Sequence, residues 1–222
     1  MELALDLLLA YLLGTVMGGD VIGRLRGGVD LRASGSGNVG ATNALRTQGR
    51  GFALAVLAVD AGKGALAVTL LPALTLPLPA SGFVLPALWT AYLCGVAVVL
   101  GHCYPVFRGF AGGKGVATLA GVFAALLPQA LLLMLAGFVL VVLLSGYVSL
   151  ATVTSAVLAV FYAACLAESG LLSALGLFTL MMSLLVVFTH RHNLRRLWRG
   201  EEHRFERARL LGRWLEQRLG RP

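Results

Sequence analysis

Long runs without a single charge alternate with short polar stretches. No Lys, Arg, Asp or Glu occurs from Leu7 to Gly19, from Gly64 to Phe107, or from Gly115 to Ala167. The last two runs exceed the roughly 18–20 apolar residues that cross a bilayer. The pattern predicts a first helix over 3–22, a polar Gly-rich loop to about 50, a helix over 51–71 and another over 85–103. Between the last two, 72–86 is Pro-rich and reads as an external turn with a short apolar element. After the loop 101–115, the apolar stretch 116–187 is interrupted at Pro128, at Ser145-Gly146 and at Glu168-Ser169-Gly170.

The fold class is therefore all-α, a polytopic integral membrane protein. Both ends of 116–187 adjoin basic segments, so this stretch crosses an even number of times. Four crossings give seven transmembrane helices, which the interruptions favour; two give five as the alternative. The whole chain, 1–222, reads as one membrane domain with a basic tail over about 203–222.

Composition agrees. The chain is 58% hydrophobic and only 13% charged, with mean hydropathy +0.85, about half the charged fraction of a soluble domain. The charges are segregated. Arg24, Arg26, Arg32, Arg46 and Arg50 share one loop, Arg108 and Lys114 a second, and ten arginines follow between Arg191 and Arg221. The positive-inside rule puts these segments in the cytoplasm, which leaves the N-terminus outside and the C-terminus inside. The net charge of +8 reflects this asymmetry; no nucleic-acid partner is expected, because no soluble nucleic-acid-binding fold accompanies it. Cys94, Cys103 and Cys165 fit neither a disulfide framework nor a zinc site. The tail predicts a basic amphipathic helix with Phe205, Ala208, Leu211 and Leu215 on one side, suited to an anionic lipid surface.

The remaining polarity sits in three loops, all on the cytoplasmic side by this topology: "RASGSGNVGATNALRTQGR", "GHCYPVFRGFAGGKGVAT" and "HRHNLRRLWRGEE". Three loops at one surface suggest one site. Gly35-x-Gly37-x-x-Gly40 has the spacing of a dinucleotide loop, yet a membrane helix and an Arg-rich loop precede it where a β-strand is required. "GFAGGKG" resembles a P-loop, but position 108 is Arg and Lys114 is followed by Gly115, which has no hydroxyl for magnesium. What survives is the shared chemistry. Glycines let backbone N–H groups close on an anion. In the first loop Gly35, Ser36, Gly37, Asn38, Gly40, Thr42, Asn43 and Arg46 form that set. In the second, Gly112, Gly113 and Gly115 surround Lys114, with His102 at the head of the segment. In the third, His190, Asn193 and Arg196 fall on one helix face. Two glycine-plus-cation loops suggest two phosphate groups. The histidines lack the spacing of common metal sites, so no metal is expected. Lys63 lies a turn from Asp60, either as its ion-pair partner or as a substrate group. A transporter for a phosphorylated solute would also want such loops, but sites of that class lie near the midplane and often within inverted repeats, and no repeat is present.

At these residues the chain resembles the bacterial acyl-phosphate:glycerol-3-phosphate acyltransferases. "DLRASGSGNVGATNALRTQGR", "DAGKG", "GHCYPVFRGFAGGKGVAT" and "HRHNLRRLWRGEE" resemble that family's motifs in order and spacing. The resemblance implies seven helices, a site opening to the cytoplasm of the inner membrane, and acyl transfer from acyl phosphate to the 1-hydroxyl of glycerol 3-phosphate. It implies no cofactor, and no obligate protein partner is evident. Ser36, Lys114, His190 and Asn193 are the catalytic candidates, and the other loop residues bind substrate. The proton acceptor is either His190 or a substrate phosphate oxygen. Where the family usually has a "GSIP"-like turn in the first helix, this chain has "GTVM" at 14–17. Thr15 supplies a hydroxyl, whereas Met17 cannot kink the helix as proline does.

Overall fold

The computed structural model describes residues 2–74 and 85–219, and the regular elements among them are all helical. The chain forms two compact units, Met1–Leu127 and Pro128–Pro222. The first contains α1 (Glu2–Thr15), α2 (Gly18–Leu25), α3 (Ala41–Thr47), α4 (Arg50–Thr69), α5 (Ala87–Cys103) and α6 (Val116–Leu126). The second contains α7 (Pro128–Ser145), α8 (Val148–Phe161), α9 (Ala174–Thr189), α10 (Arg191–Trp198) and α11 (Leu210–Leu219).

Four helical segments are long and apolar enough to cross a membrane, and α1–α2 and α9–α10, bent by 46° and 56°, raise the number to six. The expected breaks at Pro128 and at Ser145-Gly146 fall at the two ends of α7, and 168–170 lies between α8 and α9. The central part of the Pro-rich turn, 75–84, lies outside the described residues.

In the first unit the helices meet through glycines. A Cβ on Gly14 would strike the Val98 carbonyl, and one on Gly101 the Tyr11 carbonyl, so α1 and α5 touch backbone to backbone. Gly64 against Thr118 and Gly121 against Ala61 do the same for α4 and α6. Such close approach is how membrane helices gain contact when lipid is as apolar as their side chains. In the second unit, hydroxyls bond across helices: Ser155 Oγ donates to Met134 O (2.9 Å) and Ser183 Oγ to Ala156 O (2.9 Å).

The first helix departs from the sequence expectation. It is not continuous over 3–22 but breaks between Thr15 and Gly18, without a proline. A break inside a membrane is tolerable only if the freed backbone groups find partners. Here α4 supplies them. Lys63 Nζ donates to Gly14 O (2.9 Å) and Val16 O (2.6 Å), and Gly18 N donates to Asp60 Oδ1 (3.0 Å). Lys63 and Asp60 also pair with each other at 3.0 Å. Gly18 is required at this crossing because a Cβ there would meet the Val56 carbonyl 2.6 Å away.

The tail also differs. The helix spans only 210–219; Glu206–Ala208 form a 3₁₀ turn, so Phe205 and Ala208 stand outside it. The cause is a docked segment: Phe205 N donates to Gly146 O (2.9 Å) and Arg204 Nε to Ser145 O (2.8 Å), pinning 204–205 to the α7–α8 turn.

Candidate active site

The first loop is organised by Asn43, which is 1% exposed. Its Nδ2 donates to Leu31 O (2.9 Å), Ser34 O (3.0 Å) and Asn38 O (2.9 Å), and its Oδ1 accepts from Ser36 N (2.9 Å). One amide thus gathers the loop around itself. Gly35 has φ +61°, and a Cβ there would collide with Asn43 Oδ1, so neither conformation nor space admits a side chain. Asn38 Oδ1 accepts from Gly40 N at 3.1 Å and tightens the turn into α3. Ser36 is exposed; Thr42 and Arg46 are half-buried at the start and last turn of α3.

The second loop folds back onto the end of α5. Gly112 N donates to Cys103 O (3.1 Å) and Gly113 N to His102 O (3.1 Å). A Cβ on Gly113 would collide with His102 Nε2, and one on Gly115 would lie 2.8 Å from Val99 Cγ1. The glycines are there because the loop lies flat on α5. Lys114, half-buried, stands between them at the entry to α6. Tyr11 anchors the segment from α1, donating to Tyr104 O (2.7 Å) and accepting from Val106 N (3.1 Å).

Asp20 on α2 joins the two loops. Its carboxylate pairs with Arg32 of the first (2.5 Å) and Arg108 of the second (2.9 Å). Beside this tie is a cleft of about 160 Å³ lined by Arg24, Asp30, Arg32 and Arg108 among others, and none of the expected site residues borders it.

The third set lies in the second unit. His190, 4% exposed, is the residue between α9 and α10. Its Nδ1 lies 2.8 Å from Val186 O. A carbonyl only accepts, so Nδ1 carries a proton. Asn193 Nδ2 donates to Glu202 Oε1 (2.7 Å) and Arg196 Nε to Glu202 Oε2 (2.8 Å). Burial disfavours the Glu202 carboxylate, but hydrogen bonds from Asn193 and Arg196, with the Arg196 charge, outweigh that and hold it below its ordinary value.

The structure thus gathers the expected residues of the first two loops within one unit, tied through Asp20; in the other it joins Asn193 and Arg196 on Glu202, with His190 at the start of the same helix. Sequence reasoning passed over the organising role of Asp20 and Glu202. Glu202 lay in the third motif with nothing in its spacing to mark the partnership with Asn193. Asp20 is legible in the sequence only as the charge that ends the uncharged run Leu7–Gly19.

Comparison with known proteins shows the family. A family model described as glycerol-3-phosphate acyltransferase matches residues 4–200. A glycerol-3-phosphate acyltransferase from Geotalea daltonii is 43% identical, covering 89% of this chain and 95% of its own. One from Aquifex aeolicus is 40% identical, covering 88% and 95%. Crystal structures of the integral membrane glycerol 3-phosphate acyltransferase PlsY, in its glycerol 3-phosphate and lysophosphatidic acid forms, superpose with TM-scores of 0.79 and 0.78. Their identities are 35% and 34%, and both cover 95% of this chain and 99% of theirs. With its apolar helices, the chain is a multi-pass membrane protein, and over its motifs and its fold alike it belongs to the glycerol-3-phosphate acyltransferase family.

Proposed function

We propose that this protein transfers a fatty acyl group from acyl phosphate to the 1-hydroxyl of sn-glycerol 3-phosphate, releasing inorganic phosphate, at the cytoplasmic face of the bacterial inner membrane. The observation that carries the reading is the pair of glycine-lined loops, each with its own cation, held in one unit through Asp20. Two such loops suit two phosphate-bearing substrates, and an acyl phosphate is already activated. The PlsY neighbours in glycerol 3-phosphate and lysophosphatidic acid forms support the acceptor and the product.

In this reading the protein supplies position and charge. Ser36, Arg46 and the N–H groups of Gly35 and Asn38 hold one anion, with Thr42 beside them, while Gly37 and Gly40, whose N–H groups bond within the loop, and Asn43 shape it. Lys114 and the N–H of Gly115 hold the other, with Gly112 and Gly113 bonded to the end of α5 to set the loop and His102 beneath. His190, protonated at Nδ1, offers Nε2 to the attacking hydroxyl. Asn193, oriented by Glu202, and Arg196 complete that group. The acyl carbonyl is attacked by the 1-hydroxyl oxygen, the C–O bond to phosphate breaks, and the proton passes to Nε2 or to a phosphate oxygen.

Seven crossings suit the alternation of basic and uncharged breaks, with α6 the short one. Its 11 residues reach roughly 16 Å, about half a hydrocarbon core. A short helix there would leave the second loop recessed below the cytoplasmic surface.

The test uses purified protein in lipid with glycerol 3-phosphate and no added metal, with acyl phosphate in one reaction and acyl-CoA in another. Lysophosphatidic acid from acyl phosphate alone is expected. Product from acyl-CoA alone overturns the donor and the second anion site. Lys114→Ala is expected to lose at least 100-fold in turnover, the scale of a lost charge-stabilising donor, while inserting and purifying normally.

A further inference from the structure

Asp60, Lys63 and His102 form a buried polar cluster in the first unit, exposed by 1%, 4% and 3%. The transfer chemistry above leaves Asp60 and Lys63 without a part. Buried charge of this kind is costly and is retained where it does something specific. Half of its work is visible at the break between α1 and α2, where Lys63 and Asp60 satisfy the freed backbone groups. The other half concerns His102.

Lys63 Nζ lies 2.8 Å from His102 Nδ1. An ammonium only donates. Asp60 Oδ1 is farther from the same nitrogen, at 3.5 Å. A proton on Nδ1 would face the ammonium hydrogens at the shorter distance, so Nδ1 accepts and the ring proton resides on Nε2. That edge of the ring lies against Gly113, where a Cβ would collide with it, and the next residue is Lys114. The His102 carbonyl also accepts from Gly113 N (3.1 Å). His102 therefore grips the second loop through both its backbone and its ring.

We propose that His102 is a positioning residue for the second loop, and that Lys63, seated on Asp60 and on the break in the first helix, holds it as the Nε2–H tautomer. The bend of the first helix and the placement of Lys114 are then set by one chain of contacts: Gly14 and Val16, Lys63, His102, Gly113. This assigns the "DAGKG" segment a role without substrate contact. The inference rests on the reading of the second loop as an anion site.

The experiment uses the full chain in lipid nanodiscs with isotope-labelled histidine. Only four histidines are present, so the His102 resonances are identified by their loss in His102→Asn. At pH 7 an unprotonated Nδ1 and a protonated Nε2 are expected; a protonated Nδ1, or a mixture of tautomers, overturns the proposal. Asp60→Asn/Lys63→Met, which leaves no lone buried charge, is expected to release the ring into a mixture. If that variant does not fold, the wild-type spectrum still decides.

Kinetics supply the second readout. His102→Asn keeps an acceptor for Lys63 but loses the Nε2 edge. Its KM for one anionic substrate is expected to rise about tenfold as the loop loses the ring it packs on, with kcat and melting temperature near wild type. His102→Gln, which reaches farther, is expected to restore part of that loss. Wild-type KM values in His102→Asn overturn the inference when Lys114→Ala is inactive. Wild-type turnover in Lys114→Ala instead overturns the anion-site reading itself.

Discussion

Asn43 offers the sharpest perturbation of the first loop. Its amide makes three donor contacts and one acceptor contact, all to loop backbone, at 2.9–3.0 Å. Asn43→Ala removes all four at once. The two amide hydrogens are shared among three carbonyls, so three hydrogen bonds is the fair count. At about 1 kcal/mol net each, the ordered loop loses roughly 3 kcal/mol, or about 100-fold in its population relative to open forms. The helices do not depend on these bonds, so insertion and melting temperature should barely change, whereas kcat/KM for glycerol 3-phosphate should fall by about 100-fold. Amide exchange at Ser36, whose N–H bonds directly to Asn43, should quicken as well. Asn43→Asp is the discriminating companion. It keeps the acceptor for Ser36 N but sets a carboxylate oxygen against the carbonyls of Leu31, Ser34 and Asn38, so it should be at least as damaging as alanine. If Asn43→Ala retains wild-type exchange and turnover, the loop is held by other forces and the reasoning fails. If Asn43→Asp is fully active, the hydrogen-bond directions assigned here are wrong.

Further expectations follow from the same geometry. Gly113→Ala puts a Cβ into the buried His102 ring and should cost at least tenfold in activity, whereas Gly62→Ala, with no neighbour within 4 Å, should stay within about twofold on the same assay. Glu202 has a folded value below its ordinary 4.5. Its contribution to stability is therefore complete above about pH 4.5 and is lost as pH falls through the folded value. Glu202→Gln should flatten this acid limb in melts recorded from pH 7 downwards, and an unchanged limb would remove Glu202 as its source. Deleting residues 203–222 removes the bonds from Arg204 and Phe205 to the α7–α8 turn but spares Glu202. The melting temperature should drop by about 5 °C with catalysis largely intact, and an inactive enzyme would make the tail part of the site.

Much of this protein is legible in one dimension because lipid is an unforgiving solvent. Uncharged runs longer than a bilayer, punctuated by Gly, Pro and Arg, place α4, α5, α7, α8 and α9 close to where they form, since no other secondary structure satisfies the backbone there. The three polar loops are equally legible, because clustered Arg, Lys, Asn and Ser are costly to place in lipid and so mark segments outside it. Local hydropathy could not report the bend between Thr15 and Gly18. That bend is stabilised by Lys63 and Asp60, over 40 residues away, rather than by a proline. Nor could it report that Asn43 folds its own loop, that Glu202 aims Asn193, or that Asp20 ties two loops together. Each is a hydrogen bond or ion pair between groups distant in the chain or facing inward from a turn. The sequence by itself determined which segments enter lipid and which chemistry lies outside it. Only the tertiary structure decided which polar groups meet, because a bond's direction and length depend on where the backbone has already been carried.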